Sequence, residues 1–166
     1  MPGRLVKVSE LKRLRARWKK AGKKMVFTNG CFDIIHIGHI QYLGQAKSLG
    51  DYLVVGLNSD LSVRKIKDKQ RPIISEEERA EILCAFWFVD FVVMFDEETP
   101  ERLINLLEPD ILVKGADWPM KKIVGADYVL KKGGKVKQIK FVKGRSTSWI
   151  IDEIIRRYGR SGKKNS

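Results

Sequence analysis

Apolar residues follow two rhythms along this chain. Short, nearly unbroken apolar runs stand at 24–27, 51–57, 89–94, 110–114 and 136–142 and read as buried strands. Between them the apolar positions recur at three- and four-residue spacing, the period of a helix with one face on a core. Leu11, Leu14 and Trp18 form such a stripe, with Ser9 as N-cap and Gly22 as stop; a second helix spans 37–49 and ends at Gly50. Ser75 and Glu78 make a capping-box pattern that opens a helix to Phe86, and Thr99-Pro100-Glu101 starts another that runs to Leu107 with proline in its first turn. Further helices are expected over 123–132, closed by Gly133-Gly134, and over 149–158.

Strands alternating with helices predict a single α/β domain: a Rossmann-like, parallel five-stranded sheet with helices on both faces. In such sheets ligands lie beyond the C-terminal strand ends, near the switch in strand order. The loops at those ends are 28–39, 58–71, 114–119 and 143–148, so the polar stretches converge on one edge. The 58–71 stretch has no strong period and reads as a basic loop. The domain is expected over 24–158, preceded by a basic helical segment (1–23) and followed by a basic flexible tail (159–166).

At 166 residues, with 43% hydrophobic and 32% charged residues, the composition is that of a globular domain with a sizeable core. Two cysteines provide no disulfide framework and fit a reduced compartment. No apolar stretch reaches membrane-span length and the N-terminus lacks a signal-peptide core, so the expected location is cytoplasmic, without a membrane partner. The net charge of +13 calls for a polyanionic partner, either nucleic acid or small phosphorylated molecules. No aromatics interleave with the basic residues to form a stacking platform, which disfavours stable nucleic-acid binding. An apolar face on the first helix hints at a homo-oligomer.

The candidate chemistry centres on Thr28-Asn29-Gly30-Cys31-Phe32-Asp33, followed by His36-Ile37-Gly38-His39. The chain has two histidines in all, three positions apart at a predicted helix start, so both imidazoles share one face. Gly38 between them removes a side chain, and free amides at the helix start favour an anion. Spacing alone leaves a plain helix cap, a phosphate site and a metal site open. Zinc would need three or four ligands, and no third histidine or nearby cysteine cluster offers them. A nucleoside triphosphate in the crevice would place its α-phosphate at His36 and His39 and its charge near Lys67 and Arg71. Its β- and γ-phosphates would meet the helix start at Ser146 and Thr147, residues that otherwise serve as ordinary caps. Magnesium would accompany the triphosphate.

The stretch from Gly30 to His39 resembles the HxGH signature of the cytidylyltransferase-like nucleotidyltransferases, and Gly144-Arg145-Ser146-Thr147-Ser148 resembles their second signature. The literal His-Ile-Gly-His is also similar to the class I aminoacyl-tRNA synthetases, whose lysine-rich second signature is absent. Within the superfamily, Asn58-Ser59-Asp60, Arg71-Pro72-Ile73 and Val113-Lys114-Gly115-Ala116-Asp117 resemble the adenylyltransferases of ADP-heptose synthesis. Asp68 and Lys143 depart from the pattern, where glycine and an acidic residue are usual. The resemblance implies the HIGH-type nucleotidyltransferase fold. It also implies transfer of AMP from ATP to D-glycero-β-D-manno-heptose 1-phosphate by a stand-alone transferase, yielding ADP-heptose for the lipopolysaccharide inner core. Glycerol-3-phosphate cytidylyltransferases and FAD synthetases are the alternative kin. By the same resemblance His36, His39 and Lys67 are catalytic. Asn29, Gly30, Cys31, Phe32, Gly38, Arg71, Lys114, Gly115, Gly144, Ser146, Thr147 and Ser148 bind the nucleotide. Asp33, Asn58, Arg79, Asp117 and Trp118 meet the acceptor, and no residue is a metal ligand.

Overall fold

The computed structural model describes residues 2–67, 69–140, 144, 146 and 147–159. In chain order the elements are β1 (Arg4–Leu5), α1 (Val8–Lys20), β2 (Met25–Gly30), α2 (Ile37–Lys47), β3 (Tyr52–Asn58), α3 (Asp60–Ile66) and α4 (Glu76–Ala85). They continue with β4 (Phe91–Phe95), α5 (Glu101–Leu107), β5 (Ile111–Gly115), a 3₁₀ turn (Met120–Lys122), α6 (Ala126–Lys131), β6 (Lys135–Ile139) and α7 (Thr147–Tyr158).

The sheet is wholly parallel, in the order β1-β4-β3-β2-β5-β6. Among the described residues it has six strands rather than the expected five, because Arg4 and Leu5 pair with Phe91 and Val92 at one edge. A two-residue strand is too short for any periodic pattern to reveal. Residues up to Lys23 therefore share the sheet and core of the rest of the chain. The strand order reverses between β2 and β5, which places the switch point at the C-terminal end of β2.

Alternation along the strands builds two cores. Val26, Val55, Leu57 and Val113 face one layer, with Tyr42, Leu43 and Ala46 of α2 and Ala80 and Leu83 of α4. Met25, Phe27, Val54 and Leu112 face the other, with Leu11 and Trp18 of α1, Ile104 and Leu107 of α5 and Val129 of α6. Trp18 stacks on Tyr52 at 4.2 Å, which docks the basic first helix by its apolar stripe. That helix starts one residue before Ser9, with Lys7 at the N-cap and no side-chain cap bond.

Two further corrections concern local structure. The basic stretch after β3 is not a loop throughout: Ser59 caps α3 by accepting from the Ser62 amide at 3.2 Å. The last strand ends at Ile139, and residues 141 and 142 of the expected strand lie outside the described residues, as do 160–166 of the expected tail.

A buried arginine fixes α1 to the sheet. Arg15 donates from Nε to the Leu107 carbonyl (3.1 Å) and from Nη2 to the Glu108 carbonyl (2.7 Å) and Asp110 Oδ1 (2.9 Å). Asp110 Oδ2 in turn accepts from the Met25 amide at 2.7 Å, so α1, the end of α5 and the start of β2 meet in one network. Arg15→Ala leaves these acceptors short of a donor and should cost about 3 kcal/mol. A denaturant titration checks this, with the midpoint shifted and the slope unchanged.

Candidate active site

At the switch point a cleft of about 620 Å³ opens over the C-terminal strand ends, a size suited to a small molecule such as a nucleotide. Asn29 to Asp33, His36 and His39 form one wall; Lys67 and Arg71 come from the basic stretch, Lys114, Asp117 and Trp118 from the end of β5, and Ser146 to Ser148 from the start of α7. All four stretches expected at one edge therefore meet.

The turn after β2 is shaped by Phe32. Its backbone is left-handed (φ 46°), and its ring folds back so that a Cβ on Gly30 would stand 3.1 Å from it. The buried Phe32 ring packs at 5.2 Å from His39, setting the height of α2 against the sheet. His36 is the N-cap of α2 and His39 lies in its first turn, and the two rings stack at 3.9 Å with 24° between their planes. Nδ1 of both histidines and Oδ1 of Asn29 are buried with no hydrogen-bond partner among the described residues. Unpaired buried polar atoms are costly, and here all three belong to residues of the cleft wall.

Burial lowers the His36 pKa, and burial with the His36 charge nearby lowers that of His39 to about 4. Both rings are thus neutral near pH 7, each with one N–H to donate. Lys114 reaches across the switch point to the Asn29 carbonyl at 3.2 Å, and burial brings its pKa down to about 8. Burial raises the Cys31 thiol, so a nucleophilic thiolate is not what this site prepares.

The floor is held by two buried ion pairs. Asp33, 1% exposed, accepts from Arg71 Nε (2.6 Å) and from the amides of Ile73 (2.9 Å) and Ile74 (3.0 Å). Burial would raise its pKa, but these donors outweigh it and hold the carboxyl below its usual range. Asp33 therefore anchors the end of the basic stretch, and Arg71 spends its Nε on that anchor.

Arg79 is corrected from an acceptor contact to a strut beneath the cleft. It is fully buried, and donates to the carbonyls of Ile74 (3.0 Å), Cys31 (2.5 Å) and Asn58 (2.9 Å) and to Asp60 Oδ1 (2.7 Å). Asn58 does line the cleft, while its amide donates to Ser62 Oγ at 2.9 Å. Gly38, Gly115 and Gly144 do not line the cleft. Asp68, Lys143 and Arg145 lie outside the described residues.

Sequence reading missed the segment after β4, where Glu98, Thr99 and Pro100 line the cleft, and Lys122 to Val124 after the 3₁₀ turn. The first was legible, because the end of β4 belongs to the same sheet edge. The second depends on how the 3₁₀ turn folds back. Among the described residues no group of three or more His, Cys, Asp or Glu is placed to hold a metal ion, and no helix is long and apolar enough to cross a membrane.

A parallel sheet with a polar cleft at its switch point and two helix N-termini at the cleft defines a nucleotide-binding α/β core. Residues 27–161 match the cytidylyltransferase-like family model, and the chain belongs to this family of nucleotidyltransferases. It is 57% identical over 141 residues to the bifunctional protein HldE of Geobacter metallireducens, covering 85% of this chain and 29% of that protein. It is also 57% identical over 148 residues to HldE of Campylobacter jejuni subsp. doylei, covering 89% and 31% respectively. The chain thus spans about three-tenths of the length of these curated relatives. The crystal structure of the lipopolysaccharide core biosynthesis protein from Thermoplasma volcanium GSS1 matches with a TM-score of 0.61 and 31% identity, covering 75% of this chain and 100% of that one. Pantoate-beta-alanine ligase from Francisella tularensis, complexed with beta-gamma ATP and beta-alanine, matches with a TM-score of 0.62 over 93% of this chain and 79% of that one. At 15% identity it shares the fold alone.

The His39 shift has a consequence for stability. Unfolded His39 titrates at its ordinary value of 6.5 and the folded ring at about 4, so between these limits the unfolded chain binds more protons. The contribution is complete above pH 6.5 and is lost as the pH falls toward 4. Wild type should therefore lose up to about 3 kcal/mol more than His39→Asn over that interval, read from denaturant midpoints at each pH.

Proposed function

We propose that this chain transfers AMP from ATP to D-glycero-β-D-manno-heptose 1-phosphate, releasing pyrophosphate and forming ADP-heptose, a precursor of the lipopolysaccharide inner core. The observation that carries the reading is the stacked His36–His39 pair, neutral and short of partners, in the cleft at the switch point. The heptose acceptor rests on the likeness to the two HldE proteins, together with the Lys114-Gly115-Ala116-Asp117 stretch that ends β5. The name of the Thermoplasma protein, which places it in lipopolysaccharide core biosynthesis, agrees with that acceptor.

The acceptor is a phosphate monoester whose oxygen is already anionic, so attack on the α-phosphorus needs no general base. One P–O bond forms to the acceptor oxygen as the bond to the β-phosphate oxygen breaks, and the electron pair leaves on pyrophosphate. Catalysis then consists of positioning and charge stabilisation. His36 and His39 donate N–H groups to the α-phosphate oxygens without the desolvation cost of burying two cations. Lys67, Lys114 and Arg71 supply positive charge around the transferred group, and the α7 start at Ser146 to Ser148 receives the outer phosphates. Asn29 to Phe32 face the nucleotide. Asn58, Asp117 and Trp118 face the sugar, with Asp33 holding that wall in place. Magnesium would enter as part of the substrate, Mg·ATP, held by the phosphates and water and neutralising part of their charge.

Pyrophosphate release measured with ATP, CTP, GTP and UTP against several sugar and polyol phosphates should be fastest with ATP and the heptose 1-phosphate. A preference for CTP with glycerol 3-phosphate overturns the reading. His36→Ala and His39→Ala should each lower kcat by about 10²–10³-fold, the scale of losing one donor to a developing charge. Their melting temperatures should stay near that of wild type; a matching loss of fold would assign the pair a structural role instead.

A further inference from the structure

The loop that leaves β4 brings to the cleft an acid that the reaction described above does not use. Asp96, Glu97 and Glu98 follow the strand in succession, and of these Glu98 lines the cleft. Asp96 and Glu97 border a separate, smaller hollow beside Val8 and Leu103, where Glu97 accepts from Arg102 at 2.7 Å. The Glu98 carboxylate has no hydrogen-bond or ion-pair partner among the described residues.

Its backbone is nevertheless held in place. The Ser59 amide donates to the Phe95 carbonyl (3.0 Å), and Ser62 Oγ donates to the Glu97 carbonyl (2.6 Å) while accepting from the Asn58 side-chain amide (2.9 Å). Asn58, Ser59 and Ser62 are all buried, so the residue before Glu98 is tied to the cleft wall through one enclosed serine. A free carboxylate on a fixed backbone is an acceptor prepared for donors that a ligand brings.

Phosphate oxygens only accept hydrogen bonds and share its charge, so Glu98 marks a part of the cleft that phosphates avoid. Hydroxyls donate, and a vicinal diol can give one hydrogen to each carboxylate oxygen. Both substrates of the proposed reaction carry such diols, ATP on its ribose and the acceptor on its sugar. Placement separates them. Asn29 to Phe32, Lys114 and Ser146 to Ser148, assigned to the nucleotide and its phosphates, come from β2, β5 and the start of α7, whereas β4 lies on the other side of β2, beyond β3 and Asn58. Two strand spacings are about 10 Å, comparable with a sugar phosphate measured from its phosphorus to the far end of its carbon chain.

We infer that Glu98 is the residue that tells a heptose from a hexose, its carboxylate accepting from the terminal diol of the acceptor's carbon chain. The assignment rests on the function proposed above. A hexose 1-phosphate of the same configuration ends one carbon earlier, has a single hydroxyl outside the ring and leaves one carboxylate oxygen without a donor. A lost hydrogen bond to a charged group lowers selectivity by about tenfold to a hundredfold.

Pyrophosphate release from ATP, measured for wild type, Glu98→Ala and Glu98→Gln with D-glycero-β-D-manno-heptose 1-phosphate and with β-D-mannose 1-phosphate, tests this. Wild type should favour the heptose by about tenfold or more in kcat/KM. In Glu98→Ala that preference should collapse to within about threefold, through a raised KM for the heptose with kcat and the KM for ATP near wild type. Glu98→Gln keeps the shape and one acceptor oxygen and should fall between the two. Melting temperatures should match wild type, because the carboxylate holds no other part of the chain. A wild type with no preference between the sugars, or a Glu98→Ala variant that keeps the preference, overturns the assignment and leaves the function standing. A KM for ATP that rises as much as that for the heptose also overturns it and gives Glu98 to the ribose. A wild type that releases pyrophosphate with neither sugar overturns the function itself, and the assignment with it.

Discussion

The guanidinium of Arg79 is the point from which the cleft is built. A buried cation is tolerated only when its donors are taken up, and here four acceptors do so: three backbone carbonyls and one carboxylate. Those acceptors come from the turn after β2, the end of β3, the start of α3 and the second residue before α4. One side chain thus fixes, relative to each other, the segments that carry Cys31, Asn58 and the basic stretch. Asp33 repeats the device with opposite charge, gathering Arg71 and two backbone amides at the edge of the same floor.

A rigid floor lets the groups above it remain unsatisfied. The stacked histidines and the Asn29 side chain keep buried polar atoms unpaired, and Lys114 holds its charge in a desolvated position. Each arrangement costs stability in the free protein, and the cost is carried by a sheet whose central strands are buried on both faces. The same desolvation strengthens every contact that a phosphate would make there. Neutral histidines suit such a site because they donate hydrogen bonds without a second and third buried cation beside Lys114.

Much of this was legible before any coordinates. The five longer strands were visible as apolar runs, and the capping box at Ser75 and Glu78 is present as the spacing implied. The histidine pair stood out by its spacing and by being the chain's whole histidine content. The omissions have physical causes. β1 is two residues long, and α3 is a seven-residue helix whose buried positions include a serine, so neither carries a hydrophobic period. The resemblance assigns Arg79 to the acceptor, whereas its total burial depends on carbonyls from segments 21 and 48 residues away.

The sequence by itself determined the alternation of strands and helices, the edge on which the polar loops gather, and the residues that carry the family signature. These follow from local periodicity and from rules that hold for parallel sheets in general. Only the tertiary structure decided which charged residues face the cleft and which hold it up. Arg71, Arg79, Lys114 and Asp33 are all polar residues near the same loops, and their roles separate by burial and by the distant backbone groups they reach. The tertiary structure likewise decided that Leu11 and Trp18 of the α1 stripe are buried in the core rather than offered to a partner. Periodicity predicts the apolar face, but only packing assigns what covers it.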